Sequence, residues 1–122
     1  MVDLLEQSSA WLDDQRRRLL SRPVVYSRAG DSAETLATVG RTSFEASDDE
    51  GVVQEWESRD FLILTADLAD FGLPQPGDRI AETDGQQTLV YEVMALPSQT
   101  PWRYSDPYRK TLRIHTKQVE TR

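Results

Sequence analysis

The 122-residue sequence contains no cysteine. This absence excludes disulfide bonds, thiolate metal ligands and a cysteine nucleophile, and it fits a reducing compartment better than secretion. No apolar run approaches the roughly 18 residues that a membrane-spanning helix needs. The first residues, MVDLLEQSS, also lack the positive start and apolar centre of a secretory signal. We therefore expect a protein that is neither exported nor embedded in a membrane.

The sequence also lacks the motifs of common catalytic sites. It has no GxSxG elbow, no HExxH pair and no glycine-rich phosphate loop. The single histidine, His115, is predicted to lie on the outward face of a strand between Arg113 and Lys117, with no recognisable partner that would make it a catalytic base. We expect a protein that is not an enzyme and that uses neither a cofactor nor a metal ion.

Charge of one sign dominates the middle of the chain. The net charge is -7, which argues against unassisted binding to nucleic acid through phosphate neutralisation. Residues 1–22 carry four charges of each sign, residues 23–102 carry four basic and fifteen acidic side chains, and residues 103–122 carry six basic and two acidic ones. Such a polarity either reflects ordinary surface variation or steers association with a partner.

The spacing of the apolar residues changes near residue 23. Residues 2–20 have apolar side chains at helical spacing, which predicts an amphipathic helix that Pro23 ends. Beyond that point, short runs with period 2 alternate with turn signals, which predicts strands joined by hairpins. The chain is thus predicted to be a single, mainly β domain over residues 1–122. It has a helical arm at 1–22 and, at 23–122, a small antiparallel β-barrel or sandwich of about six or seven strands.

The predicted strands are separated by recognisable turns. Residues 75–78 fit a type II turn, and Asp84-Gly85 fits a hairpin. The run from residue 60 to 65 lacks alternation, which predicts a central strand covered on both faces. Gly40 interrupts a strand and suggests a β-bulge. The predicted strands are Val24–Ser27, Leu36–Glu45, Val52–Glu57, Asp60–Thr65, Arg79–Thr83, Thr88–Leu96 and Thr111–Val119, and Ala66–Phe71 is predicted as one helical turn.

An acidic tip joins the second predicted strand to the third. Asp48, Asp49 and Glu50 are consecutive within the polar stretch from Ala46 to Gly51. They lack the alternating spacing and the closing glutamate of a calcium-binding loop. A solvated hairpin tip is therefore favoured over a metal site.

The segment PWRYSDPYRK combines aromatic and basic residues in a turn-rich loop. Two interpretations are open for Trp102. It either covers one end of the barrel, with Asp106 capping a turn before Pro107, or anchors another subunit. In the second interpretation, the loop and the outward face of the next strand form a subunit interface. The residues predicted for that interface are Trp102, Arg103, Tyr104, Asp106, Tyr108, Arg109, Arg113 and Lys117.

Four segments of the chain resemble head-tail joining proteins of long-tailed bacteriophages and prophages. They are RDFLILTADL (59–68), GLPQPGDRI (72–80), YEV (91–93) and WRYSDPYRKTLRIHTK (102–117). The resemblance implies a helix attached to a β-barrel and a structural role without cofactor or catalysis. It also implies a location in the virion neck, after assembly in the cytoplasm of the host bacterium.

The resemblance further implies what surrounds such a subunit. Copies of the chain form a ring under the portal, with a portal or adaptor protein above and a tail terminator protein below. The ring retains packaged DNA, which passes through the channel without sequence-specific binding. A loop between early strands faces the channel in related connectors, and Asp48, Asp49 and Glu50 are the candidates here. Their carboxylates repel phosphates and so let DNA slide.

Two other classes of function remain open. One is a stand-alone β-barrel binding module, for which single-stranded nucleic acid is one conceivable ligand; that ligand requires a basic groove with aromatic platforms. The carboxyl-terminal third alone has that character. The other, less favoured, is a small carboxylate-dependent hydrolase, whose activity would be sensitive to chelators.

Overall fold

The computed structural model describes residues 6–8, 10–12, 21–47, 50–97 and 99–122. Residues 6–8 and 10–12 are helical, as predicted for this part of the chain, and the rest of the predicted helix lies outside the described residues. None of the helices described is long and apolar enough to cross a membrane. The other elements are β1 (Arg22–Arg28), β2 (Asp31–Ser47), β3 (Val53–Leu64), a 3-10 helix (Thr65–Leu68), β4 (Arg79–Asp84), β5 (Gln87–Val93), β6 (Trp102–Tyr104) and β7 (Thr111–Thr121).

The seven strands form one antiparallel sheet, which confirms the mainly β prediction. Neighbours follow the order β3-β2-β1-β4-β5-β7-β6. In addition, β3 pairs with β7 between residues 59–64 and 111–116. Six strands are therefore linked in a closed cycle of hydrogen-bonded neighbours, with β6 attached to β7 outside that cycle.

Two segments predicted as separate strands, 52–57 and 60–65, belong to the single strand β3. The polar residues between them resemble a turn in the sequence. They remain in the strand because Ser58 donates a hydrogen bond to Asp60, which in turn bonds to neighbouring strands. The prediction of a central strand holds for the second half of β3, which β2 and β7 flank. Phe61 and Ile63 in this half are fully buried.

Gly40 does not mark a β-bulge, contrary to the sequence-based expectation. The β2–β3 register continues without a break from Thr38 opposite Leu62 to Ser47 opposite Val53. A Cβ atom added to Gly40 would lie 3.3 Å from Nη1 of Arg113. Glycine therefore leaves room for a guanidinium that crosses β3.

The turns follow the predictions closely. In the turn at 75–78, the backbone nitrogen of Asp78 donates to the carbonyl of Gln75 at 3.1 Å, and Gly77 has φ 93°. The β4–β5 hairpin turns at Gly85, and the predicted helical turn appears as the 3-10 helix. By contrast, β5 ends at Val93 instead of Leu96.

The core lies on one face of the sheet and is made of aromatic and aliphatic side chains. The inward residues of β3 and β7 contribute Phe61, Ile63, Leu112 and Ile114, all at 0% exposure. The rest of the buried cluster is Val24, Tyr26, Ala37, Leu68, Ile80, Tyr91 and Val93.

Asp78 is a buried carboxylate with several hydrogen-bond donors. It accepts from Nε and Nη2 of Arg28, at 2.9 and 2.8 Å, from the hydroxyl of Tyr26 and from the backbone nitrogen of Gln75. Burial raises the pKa of Asp78, but the bonds from Arg28, Tyr26 and Gln75 outweigh burial and hold this pKa below its usual value. Burial, followed by the contact with Asp78, raises the pKa of Tyr26.

Asp60 is the second such carboxylate and is fully buried on the outward face of β3. It accepts from Nδ1 of His115 at 2.9 Å, from Nη1 of Arg113 at 2.8 Å and from the hydroxyls of Ser58 and Thr42. Burial raises the pKa of Asp60, but the four hydrogen bonds outweigh it and hold the pKa well below its usual range.

Glu82 is the third. It is 2% exposed and pairs with Arg22 at 3.2 Å and with Arg59. The Arg59 guanidinium also lies 5.1 Å from the ring centroid of Tyr91. Two arginines thus neutralise one carboxylate at this edge of the core.

We expect the free energy of unfolding to fall as the pH drops below about 4, the usual pKa of an aspartate. Asp60 and Asp78 have lower pKa values folded than unfolded, so their stabilisation is complete above the unfolded value and is lost as pH falls through the folded values. Urea unfolding at pH 7 and pH 3 measures this. Asp60→Asn should flatten the profile, whereas Asp84→Asn, at an exposed position, should not. Equal pH dependence in the two variants would contradict the assignment.

Candidate assembly surface

The segment predicted as a loop, residues 101–110, begins with a strand. In β6, Trp102 lies opposite Ile114 and Tyr104 opposite Leu112. The sequence did not reveal this strand because three residues are too few to show a clear alternation and because prolines flank them. Trp102 and Tyr104 therefore belong to the sheet, and Tyr108 lies in the turn that follows.

The turn between β6 and β7 is fixed by Asp106. Its carboxylate accepts from the backbone nitrogens of Tyr108 at 3.2 Å, Lys110 at 3.0 Å and Thr111 at 2.8 Å. This is the capping role that the first interpretation of the loop gave to Asp106. Arg109 takes a positive φ of 59°, which is uncommon for a side chain of its size.

The same turn is held against the end of β3. The backbone nitrogen of Thr65 donates to the carbonyl of Lys110 at 2.8 Å, and its hydroxyl donates to the carbonyl of Arg109 at 3.1 Å. With the bonds to Asp106, these contacts fix the backbone from which the basic side chains extend. A surface that is ordered in advance loses less entropy on binding a partner.

Trp102 and Tyr104 pack against the core from β6. Both are half-buried, and their rings meet edge to face with centroids 5.2 Å apart. The Arg109 guanidinium carbon lies 5.7 Å from the centroid of the Tyr104 ring. Trp102 therefore covers the core in part and keeps part of its ring accessible.

We expect Trp102→Ala to lower the free energy of unfolding by about 2 kcal/mol, less than the roughly 3 to 5 kcal/mol of a fully buried tryptophan. The reason is that the half-buried ring loses only part of its packing. Urea unfolding measures the effect, and Val119→Ala, at an exposed strand position, is the matched control and should stay within about 0.5 kcal/mol. An unchanged stability in Trp102→Ala would leave only the anchoring interpretation.

Several cations surround β6 and the first half of β7. Arg103 and Arg109 are exposed, and neither has a carboxylate partner within the described part of the chain. Lys110 is half-exposed, and its Nζ pairs with Oε1 of Glu6 at 3.1 Å. Lys117 is exposed and lies opposite Glu92 of β5. Arg103 and Arg109 are thus the cations best placed to meet an external carboxylate.

Arg113 differs from these residues. It lies opposite Arg103, but its side chain is only 23% exposed and its Nη1 bonds to Asp60 at 2.8 Å and to the carbonyl of Arg41 at 3.4 Å. The pair with Asp60 already neutralises its charge. Arg113 therefore supports the fold, and its contact with a neighbouring subunit stays a prediction from the sequence.

His115 lies on the predicted face of β7 but is not exposed. It lies opposite Asp60 in the β3–β7 register and is only 5% exposed, because Asp60 and the ring of Phe44 cover it; the Phe44 ring is nearly perpendicular to the imidazole, with centroids 5.2 Å apart. Nδ1 of His115 contacts Asp60, and the Ser58 hydroxyl lies 3.4 Å from this nitrogen. The Ser58 hydroxyl donates its own hydrogen bond to Asp60. These contacts form a buried structural network and do not align a serine nucleophile with a base.

The acidic tip is described only in part. Asp48 and Asp49 lie outside the described residues, and Glu50 is exposed. The tip joins the two strands of a long hairpin, here called the arm, made of residues 42–47 of β2 and 53–58 of β3.

A scan against protein-family models matches the family described as phage head-tail joining protein over residues 2–122. The chain is thus a structural protein of a phage, and it belongs to this head-tail joining family. The match extends the resemblance, which rested on segments from residue 59 onward, to nearly the whole chain. No curated protein matches the chain in sequence. Membership makes the chain a component of the virion neck that contacts other phage proteins.

Proposed function

We propose that the chain is a connector subunit that forms a ring under the portal, retains packaged DNA and provides the platform for tail attachment. Its neighbours in this proposal are a portal or adaptor protein above and a tail terminator protein below. Family membership supports the head-tail joining role. The observation that supports assembly through β6 and the following turn is the ordered backbone that carries Arg103 and Arg109, two exposed cations without carboxylate partners in the described part of an otherwise acidic chain.

In this proposal the body is a small β-barrel. The closed cycle β1-β2-β3-β7-β5-β4 supports this form, because a sheet whose first and last strands pair has no free edge along the cycle. A body closed in this way is suited to a ring subunit, since it presents side chains and not strand edges to most neighbours.

The proposed interface includes the residues around β6 and its turn. Arg103, Arg109 and Lys117 supply charge, and the accessible parts of Trp102, Tyr104 and Tyr108 supply rigid apolar contact. Asp106 acts indirectly, because its carboxylate is used to hold the turn. The acidic body of the chain offers carboxylates of the opposite sign.

We also propose that the acidic tip faces the DNA channel. Replacing Asp48, Asp49 and Glu50 with serine should change DNA retention or ejection in assembled particles, because carboxylates that repel phosphates are lost. The melting temperature of the purified protein should be nearly unchanged, since a solvated tip of like charges buries little surface. Loss of several kcal/mol of stability would place the tip in the core and remove the channel assignment.

Locating the chain within particles tests the proposed function. Antibody labelling of purified virions should place the chain at the junction of head and tail, with several copies per particle. Label on the capsid surface, or virions that lack the chain, would contradict the proposal. The alternative of a module for single strands has less support, because Trp102 and Tyr104 turn toward the core and not toward an open groove. No observation favours the hydrolase.

A further inference from the structure

The arm is a ribbon of only two strands. Residues 53–58 of β3 pair with β2 alone among the described strands, because β7 pairs with β3 only from residue 59 onward. A two-stranded hairpin is marginally stable by itself in water. A second surface that covers the arm would therefore stabilise it.

The two faces of the arm differ in character. On one face Phe44 and Trp56 stack with centroids 4.4 Å apart, and Phe44 covers His115. The other face, here called the acidic face, carries the exposed side chains of Glu45, Glu55 and Glu57, with Arg41 at its base.

The acidic face contains an unfavourable pair. Glu45 lies directly opposite Glu55, and like charges at such positions destabilise a ribbon. None of Glu45, Glu55 and Glu57 has an ion-pair partner within the described part of the chain. No group of three His, Cys, Asp or Glu side chains in that part is arranged to hold a metal ion. Cationic side chains of another molecule would relieve the repulsion.

Arg103 and Arg109 of the same molecule cannot do so. Arg103 is level with Leu62 of β3, since both lie opposite Arg113. Leu62 is seven residues from Glu55, a rise of roughly 23 Å along the strand. Glu55 and Arg103 of one chain are therefore too far apart to meet, and Arg41, which shares the acidic face, lies four residues along β2 from the pair of Glu45 and Glu55.

We propose that the acidic face of the arm docks on Arg103 and Arg109 of a second copy of the chain. This inference rests on the proposed function and names the carboxylates that the interface around β6 contacts. The occupant is a copy because each chain carries both surfaces, which are opposite in charge and whose glutamates and arginines have no ion-pair partner within the described residues. A contact between two different patches is heterologous, and it closes into a ring when the rotation between copies permits.

Cross-linking tests the contact, and the natural absence of cysteine makes the test specific. Glu55→Cys and Arg103→Cys are introduced together and treated with a short bismaleimide in assembled particles. The intramolecular separation of roughly 23 Å exceeds the reach of such a linker. Glu34→Cys with Arg103→Cys is the matched control, because Glu34 is an exposed glutamate of β2 outside the arm.

The expected result is a ladder of covalent dimers, trimers and larger multimers, at least about tenfold stronger than in the control pair. Tailed particles that contain the double-cysteine chain but give no ladder above the control would overturn the contact and leave the proposed function intact. If the chain is absent from particles, the proposed function fails. The contact is then decided with concentrated purified protein, where a ladder supports it and monomers overturn it.

Discussion

Asp60→Ala is expected to lower the free energy of unfolding by about 3 to 5 kcal/mol, the usual effect of removing one partner from a buried ion pair. Asp60 is fully buried and accepts hydrogen bonds from four side chains on three strands, including Arg113 and His115. Its removal leaves the Arg113 guanidinium without a counter-charge under partial burial. Since a small domain is stabilised by only about 5 to 15 kcal/mol, the variant should be largely unfolded at moderate temperature.

Equilibrium unfolding in urea measures this effect, with far-UV circular dichroism to follow the sheet. Glu57→Ala is the matched control, because Glu57 is an exposed acid of the same strand without an ion-pair partner in the described part of the chain. It should change stability by less than about 0.5 kcal/mol. Similar losses in both variants would show that Asp60 is not the centre of a stabilising network.

Charge reversal of Arg103 and Arg109 together should prevent assembly while leaving the fold intact. Both side chains are exposed, so the reversal leaves no buried charge without a partner. A single exposed ion pair contributes only about 0.2 to 1 kcal/mol. The effect is nevertheless large, because reversal replaces attraction by repulsion and a ring repeats the contact at every interface. We expect the yield of infectious particles to fall by about a hundredfold or more, the loss that weakening the contact by two decades in affinity would cause.

Two further variants sharpen this test. Arg103→Lys with Arg109→Lys keeps the positive charge and should retain most of the yield. Adding Glu55→Arg and Glu57→Arg to the reversed chain should restore yield if the arm of a neighbour is the partner. Complementation of a phage that lacks the functional gene provides the measurement. A normal yield from the folded, charge-reversed chain would remove β6 and its turn from the interface.

The backbone was largely predictable from local signals. Hairpins at Gly85 and between β2 and β3, the Pro76-Gly77 turn and the final strand all follow from turn residues and period-2 alternation. The errors arise where tertiary contacts override polarity. Ser58 and Asp60 look like a break in a strand, yet His115 and Thr42 satisfy Asp60 within β3.

The surface was harder to predict than the backbone. The sequence-based prediction placed Arg113 and His115 on the outward face of β7, which the register confirms. It also assumed that side chains on the outward face are exposed to solvent, which is wrong for these two. Asp60 on the neighbouring strand β3 hydrogen-bonds to both side chains. The sequence of β7 alone gives no indication that Asp60 is their partner. The same limitation applies to Asp78 and Glu82, whose arginine partners are up to 60 residues away in the chain. Gly40 gave a weak signal, since a glycine within a strand also marks the close approach of another group.

Electron microscopy of particles produced without this chain tests its role most directly. We expect capsids that bear no tails and lose their packaged DNA, free tails in the same lysate, and recovery of joined particles when the chain is supplied in trans. Tailless capsids that keep their DNA would support the joining role and contradict the retention role. Normally tailed, infectious particles in the complete absence of the chain would contradict a function in joining heads to tails.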